Sequence, residues 1–257
     1  MTYKQNIPWY KNEYLNQEWE RDESSHYVFY SKKESLAKQN LNNIIALKEN
    51  HYSKIVQWLG IDNNKKINYY LYSSIKEKLA LMGDNSPGNA IWEELDVNNN
   101  PRKTEIHAVY NEKCKFIGEH EDTHLLSLPW GLSIYLFCEG LAQYMEDNFI
   151  DEDLHVITKK LLQENKLYAV DFLCTNNNWV EVVPTIIYPQ VGSFIKYLIE
   201  IHGKEKFQEL YQNTSRNYDT PKNLLEIEKI YKKNAKELET EWKKLISQPT
   251  FASQNQK

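Results

Sequence analysis

Residues 120–124 read His-Glu-Asp-Thr-His. Residues four apart share one face of a helix, so the imidazoles of His120 and His124 can close on a single ion while Glu121 leans toward the same space. Neutral imidazole nitrogens bind Zn²⁺ at about 2.0–2.1 Å. A carboxylate beside an open coordination position can take a proton from the bound water, which is the chemistry of a hydrolase. The alternative is a pair of histidines set on a helix by accident. The frame argues against it, because Phe116 and Ile117 precede the motif and Leu125, Leu126 and Leu128 follow it, as a buried helix requires.

Structural zinc takes four protein ligands, whereas catalytic zinc keeps three and leaves a position for water. The third ligand expected here is Glu139, fifteen residues after His124. The LPWG stretch at 128–131 breaks the first helix, and a helical hairpin would bring Glu139 back over the HExxH face. Cys138, Leu141, Ala142 and Met145 surround Glu139 with apolar neighbours, unlike a solvated surface acid. Glu146 and Asp147 are alternatives one to two turns further on.

The elements that must carry these residues follow from periodicity. Residues 1–25 read as an irregular leader that packs in part through Trp9, Tyr10 and Trp19. An α/β subdomain is expected over 26–127. Its strands are predicted at 26–30, 67–74, 89–95 and 104–110, with a long amphipathic helix at 35–59 and a shorter one after Ser73 or Ser74. A mixed sheet packed on helices should result. A helical subdomain is expected over 128–247, with helices at 132–149, 153–164, 167–174, 189–202, 204–212, 221–232 and 234–247, and a loose tail at 248–257. The fold class is therefore α+β.

With 41% hydrophobic and 26% charged residues and a net charge of −5, the chain can bury a core, and its mild acidity argues against nucleic acid as a main partner. No apolar run approaches the roughly 18 residues needed to span a bilayer, and the N-terminal residues lack a signal-like apolar core. A cytoplasmic protein without a membrane partner is expected. Cys114, Cys138 and Cys174 lack metal-ligand spacing and read as reduced, buried thiols.

At HEDTH and at EGLAQY, residues 139–144, the chain resembles the gluzincin metallopeptidases, the thermolysin-like group in which an HExxH helix is followed by a helix bearing a zinc-binding Glu. The likeness is nearest to bacterial peptidase MA-like proteins, where an EGxAxY segment follows HExxH. The stretch 188–211, YPQVGSFIKYLIEIHGKEKFQELY, and KELETEW at 236–242 agree as well. The resemblance spans roughly residues 26–247. It implies a zincin-like fold with the active site between the two halves, one Zn²⁺ per chain on His120, His124 and Glu139, and Glu121 as general base and later proton donor. The chemistry asks for the same assignment.

The tetrahedral oxyanion wants one further donor. Relatives place a tyrosine or histidine from the helical half near the metal, which points to Tyr188, with His155 and His202 as competitors. Thermolysin-like enzymes also use an Asp to orient the first His, and Gln143 occupies that place here, a neutral and weaker acceptor. Such peptidases bind extended substrate by adding it to a sheet edge. Asn89, Ala90 and Ile91 are expected to form that edge, with the 104–110 strand bearing His107 as a rival. The expected activity is zinc-dependent hydrolysis of a peptide or unfolded protein segment. The rivals are a catalytically silent peptidase-like module that binds a peptide or protein partner, and a protein whose zinc is merely structural.

Overall fold

A turn of 3-10 helix at Glu13–Asn16 and a short strand, β1 (Glu20–Glu23), occupy the segment that the sequence presents as an irregular leader. The computed structural model describes residues 10–63, 65–96 and 98–248, the side chain of Glu94 excepted; Trp9 and the tail beyond Gln248 lie outside the described residues. The chain is α+β and divides into two units, Met1–Pro129 and Trp130–Lys257. β1 runs antiparallel to β2 (Tyr27–Ser31), with Arg21 opposite Tyr30. Its sequence, ERDE, hides the strand because an edge position tolerates and even favours charge.

The first unit continues with α1 (Leu36–Gln39), α2 (Leu41–Leu59), β3 (Ile67–Tyr72), α3 (Ile75–Met82), β4 (Gly88–Leu95), β5 (Pro101–Asn111), β6 (Cys114–Lys115) and α4 (His120–Leu126). The sheet order is β1-β2-β3-β5-β4, with β6 folded back on the end of β5. β2, β3 and β5 are mutually parallel, while β1 and β4 are antiparallel edges. Parallel strands are covered on both faces, which explains the nearly unbroken burial of YVFYS and INYYLY. On one face Tyr27 and Tyr69 meet α2 through Tyr52 and Lys48. On the other, Tyr70, Tyr72 and Val109 form a cluster with Tyr14 and Met82.

The helix expected over 35–59 is two helices. Ser35 caps α1 by accepting from the Lys38 N–H, and the chain turns at Asn40, whose side-chain amide donates to the Tyr110 hydroxyl. α2 then runs to Gly60, which ends it in the left-handed conformation at φ 67°, one open to glycine without a Cβ penalty. α3 is capped by Ser74, which accepts from Glu77.

The second unit contains α5 (Tyr135–Glu146), β7 (Asn148–Phe149), β8 (Glu152–Asp153), α6 (Leu154–Gln163), α7 (Val170–Leu173), α8 (Pro184–His202), α9 (Lys204–Asn213), α10 (Thr220–Tyr231) and α11 (Ala235–Ser247). The helix expected to reach 149 stops at Glu146. β7 and β8 follow as a tight hairpin, with Ile150 and Asp151 both at positive φ. Such a turn is usually built from Asn and Gly, so Ile150 concealed it. α8 starts earlier than the sequence suggests, with Pro184 in its first turn and Pro189 inside it. Cys138 and Cys174 are buried as expected, but Cys114 is only half-buried. Among the described residues no helix is long and apolar enough to cross a membrane.

α5 and α8 approach each other through two glycines. A Cβ at Gly140 would stand 2.4 Å from Ile195 Cγ1 and 3.1 Å from the Val191 carbonyl oxygen, and one at Gly192 would meet Gln143 Cγ at 2.7 Å. Gly140→Ala is therefore expected to lower stability by about 1–3 kcal/mol through overpacking, read as a lower urea midpoint at an unchanged slope. Burial also depresses the imidazole pKa of His51 to about 3 and of His155 to about 4. Unfolded histidines protonate near about 6.5. The stability that these neutral rings contribute is complete above that pH and is lost as pH falls toward their folded values. The urea midpoint should accordingly drop between pH 7.5 and pH 5, and less so in His155→Gln.

Candidate metal centre

α4 is only seven residues long, too short to hold its own orientation. What fixes it is an ion pair behind it. Asp122 and Lys48 are both fully buried and paired, and the Tyr27 hydroxyl donates to Asp122 Oδ1 at 2.6 Å. The Lys48 ammonium also donates to the Gly118 carbonyl at 2.8 Å, so it grips the residue just before the helix as well as the helix itself. Burial pushes the Asp122 carboxyl up against the opposing pull of Lys48 and Tyr27. Burial and the Asp122 charge push the Tyr27 phenol well above its ordinary value, which keeps it a donor.

Asp122 lies two residues from both His120 and His124, on the opposite side of the helix. With Asp122 turned to α2 and the sheet, the histidine face points the other way. His120 and Glu121 are buried, and His124 is half-buried. The imidazole rings of His120 and His124 stand 4.8 Å apart at 79°. Lys48 and Asp122 were not anticipated from the sequence. The signal was nonetheless present, since Lys48 falls on the apolar stripe of α2 between Ile44 and Tyr52.

His120, His124 and Glu139 each offer one ligand atom, and these atoms all lie within 4.8 Å of one another. Two imidazole nitrogens and a carboxylate oxygen are donors of the kind that bind divalent metal ions. The group could hold a metal ion. Among the described residues it has three members, whereas a closed structural zinc site takes four.

Glu146 and Asp147 are not in the group. Glu146 accepts from the Gln143 amide at 3.2 Å, and Asp147 is ion-paired with Lys196 at 2.9 Å. Comparison with protein families and with curated proteins finds no matching family model and no matching sequence. What the residues do must therefore be argued from their geometry.

Gln143, expected to orient His120 through its amide oxygen, also has a use for its amide nitrogen. Its side-chain amide donates to the Asn148 carbonyl at 2.5 Å and to Glu146, so it ties the end of α5 to the hairpin; the close approach of Gly192 holds it there. Tyr188 is half-buried on α8, the helix that packs on α5. Its competitors serve the core of the second unit. His155 is bonded to Ser193 Oγ at 2.7 Å, which also accepts from the Trp242 indole, and His202 is bonded to the Tyr197 hydroxyl at 3.1 Å.

Asn89, Ala90 and Ile91 lie on β4, paired to His107, Ile106 and Glu105 on its β5 side, and β4 is an edge of the sheet. The rival strand, β5, is interior. His107 is fully buried, bonded to the Tyr72 hydroxyl at 2.8 Å and stacked on Tyr70.

Lys48→Met leaves Asp122 buried beside only a phenol, and should cost about 3–5 kcal/mol in unfolding free energy. The double substitution Lys48→Met with Asp122→Leu removes both charges and should recover most of that loss, because an apolar pair can replace a buried ion pair at little cost. Urea unfolding of the three proteins measures the cycle.

Proposed function

We propose that this protein is a zinc-dependent peptide-bond hydrolase of the gluzincin type. The observation that carries the reading is the group of three: two imidazoles and a carboxylate gathered within 4.8 Å, with a further carboxylate, Glu121, directly beside the first imidazole in the chain. A zinc ion on His120, His124 and Glu139 supplies Lewis acidity and lowers the pKa of water at the site to about 7.

Glu121 takes the proton as water attacks the peptide carbonyl carbon, and returns it to the nitrogen as the C–N bond breaks. One proton thus passes from water to the leaving amine, and the products are a carboxylic acid and an amine. Tyr188 is assigned as donor to the oxyanion, since α8 carries it and its hydroxyl can donate without changing charge. Extended peptide would add to the outer edge of β4 at Asn89, Ala90 and Ile91 by backbone hydrogen bonds. The binding-only alternative keeps the β4 edge for a peptide but has no use for Glu121.

Metal analysis of purified protein should return roughly one zinc per chain, and His124→Ala should lose it. Glu121→Gln should keep the zinc and lower the hydrolysis of a mixed peptide library by about 10²–10⁴-fold. Protein without zinc, or a Glu121→Gln variant as active as the wild type, would overturn the assignment.

A further inference from the structure

The second unit contains a pocket of about 710 Å³ lined by Tyr135, Asn176, Asn177, Trp179, Val180 and Arg216. Tyr135 and Trp179 form a tilted ring pair with centroids 5.7 Å apart, and the Arg216 guanidinium lies over the Tyr135 ring, 4.2 Å from its centroid. Arg216 donates its Nε–H to the Ser133 carbonyl at 3.0 Å. The groups that bear on its charge are Cys138, Tyr135 and Tyr211, none of them a carboxylate.

A desolvated charge is ordinarily paired. An arginine in a pocket, held by an aromatic face and a carbonyl and without an acidic partner among the described residues, is set up to receive an anion from outside. Its planar fork matches a carboxylate with two parallel hydrogen bonds.

The pocket is also in the right place. Tyr135 opens α5 and lies four residues before Glu139, so the two share one helix face. Both are half-buried, while residues 136–138 and 140–143 are buried, so this is the open face of the helix. One turn separates them, about 6 Å along the axis, and an extended peptide advances about 3.3–3.6 Å per residue. The pocket thus lies within one helical turn of Glu139 on the same face of α5, a spacing that an extended peptide spans in about two residues.

The geometry points to a carboxylate-binding subsite in which Arg216 receives an anionic group of the substrate peptide while Tyr135 and Trp179 hold the apolar group beside it. The subsite rests on the hydrolase reading in one respect, that a peptide carries the carboxylate. That carboxylate is either the C-terminal one, which would make the protein cut near chain ends, or an acidic side chain.

The test is binding to the 257-residue chain stripped of metal by chelation, followed by calorimetry and by tryptophan fluorescence, to which Trp179 contributes. Three probes separate the sources: N-acetyl-alanyl-phenylalanine, its C-terminal amide, and N-acetyl-glutamyl-phenylalaninamide. At least one of the two carboxylate probes should bind about ten-fold or more tightly than the neutral amide, and which one does so names the source. Arg216→Gln should abolish that preference. Asn177→Asp, at an exposed position on the rim, should weaken the favoured probe by charge repulsion more than it weakens the neutral amide, which covers the case in which Arg216→Gln does not fold. Equal binding of acid and amide, or a preference that survives both substitutions, overturns the subsite. Because the readout needs no metal, a protein that binds the acid but hydrolyses nothing overturns the hydrolase reading and leaves the subsite standing.

Discussion

The buried pair of Lys48 and Asp122 is the constraint on which the first unit's half of the metal group depends. A seven-residue helix has almost no intrinsic stability, and its rotation about its own axis decides where His120, Glu121 and His124 point. Apolar contacts through Leu125 and Leu126 would tolerate small rotations. Two charges enclosed together tolerate very little, because separating them leaves each without solvent or partner. A buried ion pair is weak evidence for net stability, but it discriminates sharply between orientations. Tyr27 and the Gly118 carbonyl complete the enclosure.

The second unit solves the same problem by close approach instead of charge. α5 carries Glu139 and is clamped against α8 where Gly140 and Gly192 admit neighbouring side chains and backbone. The EGLAQY segment is thus partly a packing motif. Glu139 faces the open side, whereas Gly140, Leu141 and Ala142 face the interior and Gln143 locks the helix end to the β7–β8 hairpin. The same open face carries Tyr135, which brings the aromatic and arginine-lined pocket onto the helix that bears the carboxylate ligand.

Much of this was legible in the residues. The ends of α2 and α3 could be read because Gly60, Ser74 and Gly83 are local devices whose effect needs no partner. The strand character of 27–31 and 67–72 was carried by aromatic and branched side chains. β1 and the 149–152 turn were not legible: a charged edge strand exists only because β2 offers it hydrogen bonds, and a turn through Ile150 adopts positive φ only under tertiary constraint. The tie between the Gln143 amide nitrogen and the Asn148 carbonyl was likewise not legible, because it depends on a hairpin that the sequence did not reveal.

The sequence by itself determined the donor types, their spacing on a helix and the α+β class, because residue chemistry and helical periodicity are local properties. Only the tertiary structure decided that Glu139, rather than Glu146 or Asp147, joins His120 and His124 within 4.8 Å, that β4 and not β5 is a sheet edge, and that Lys48 is a buried cation with a carboxylate partner while Arg216 is a half-buried one without such a partner among the described residues. The reason is physical: whether a charge is paired, a strand edge covered or a carboxylate close enough to share an ion depends on groups distant in the chain, and no local pattern encodes their distance in space.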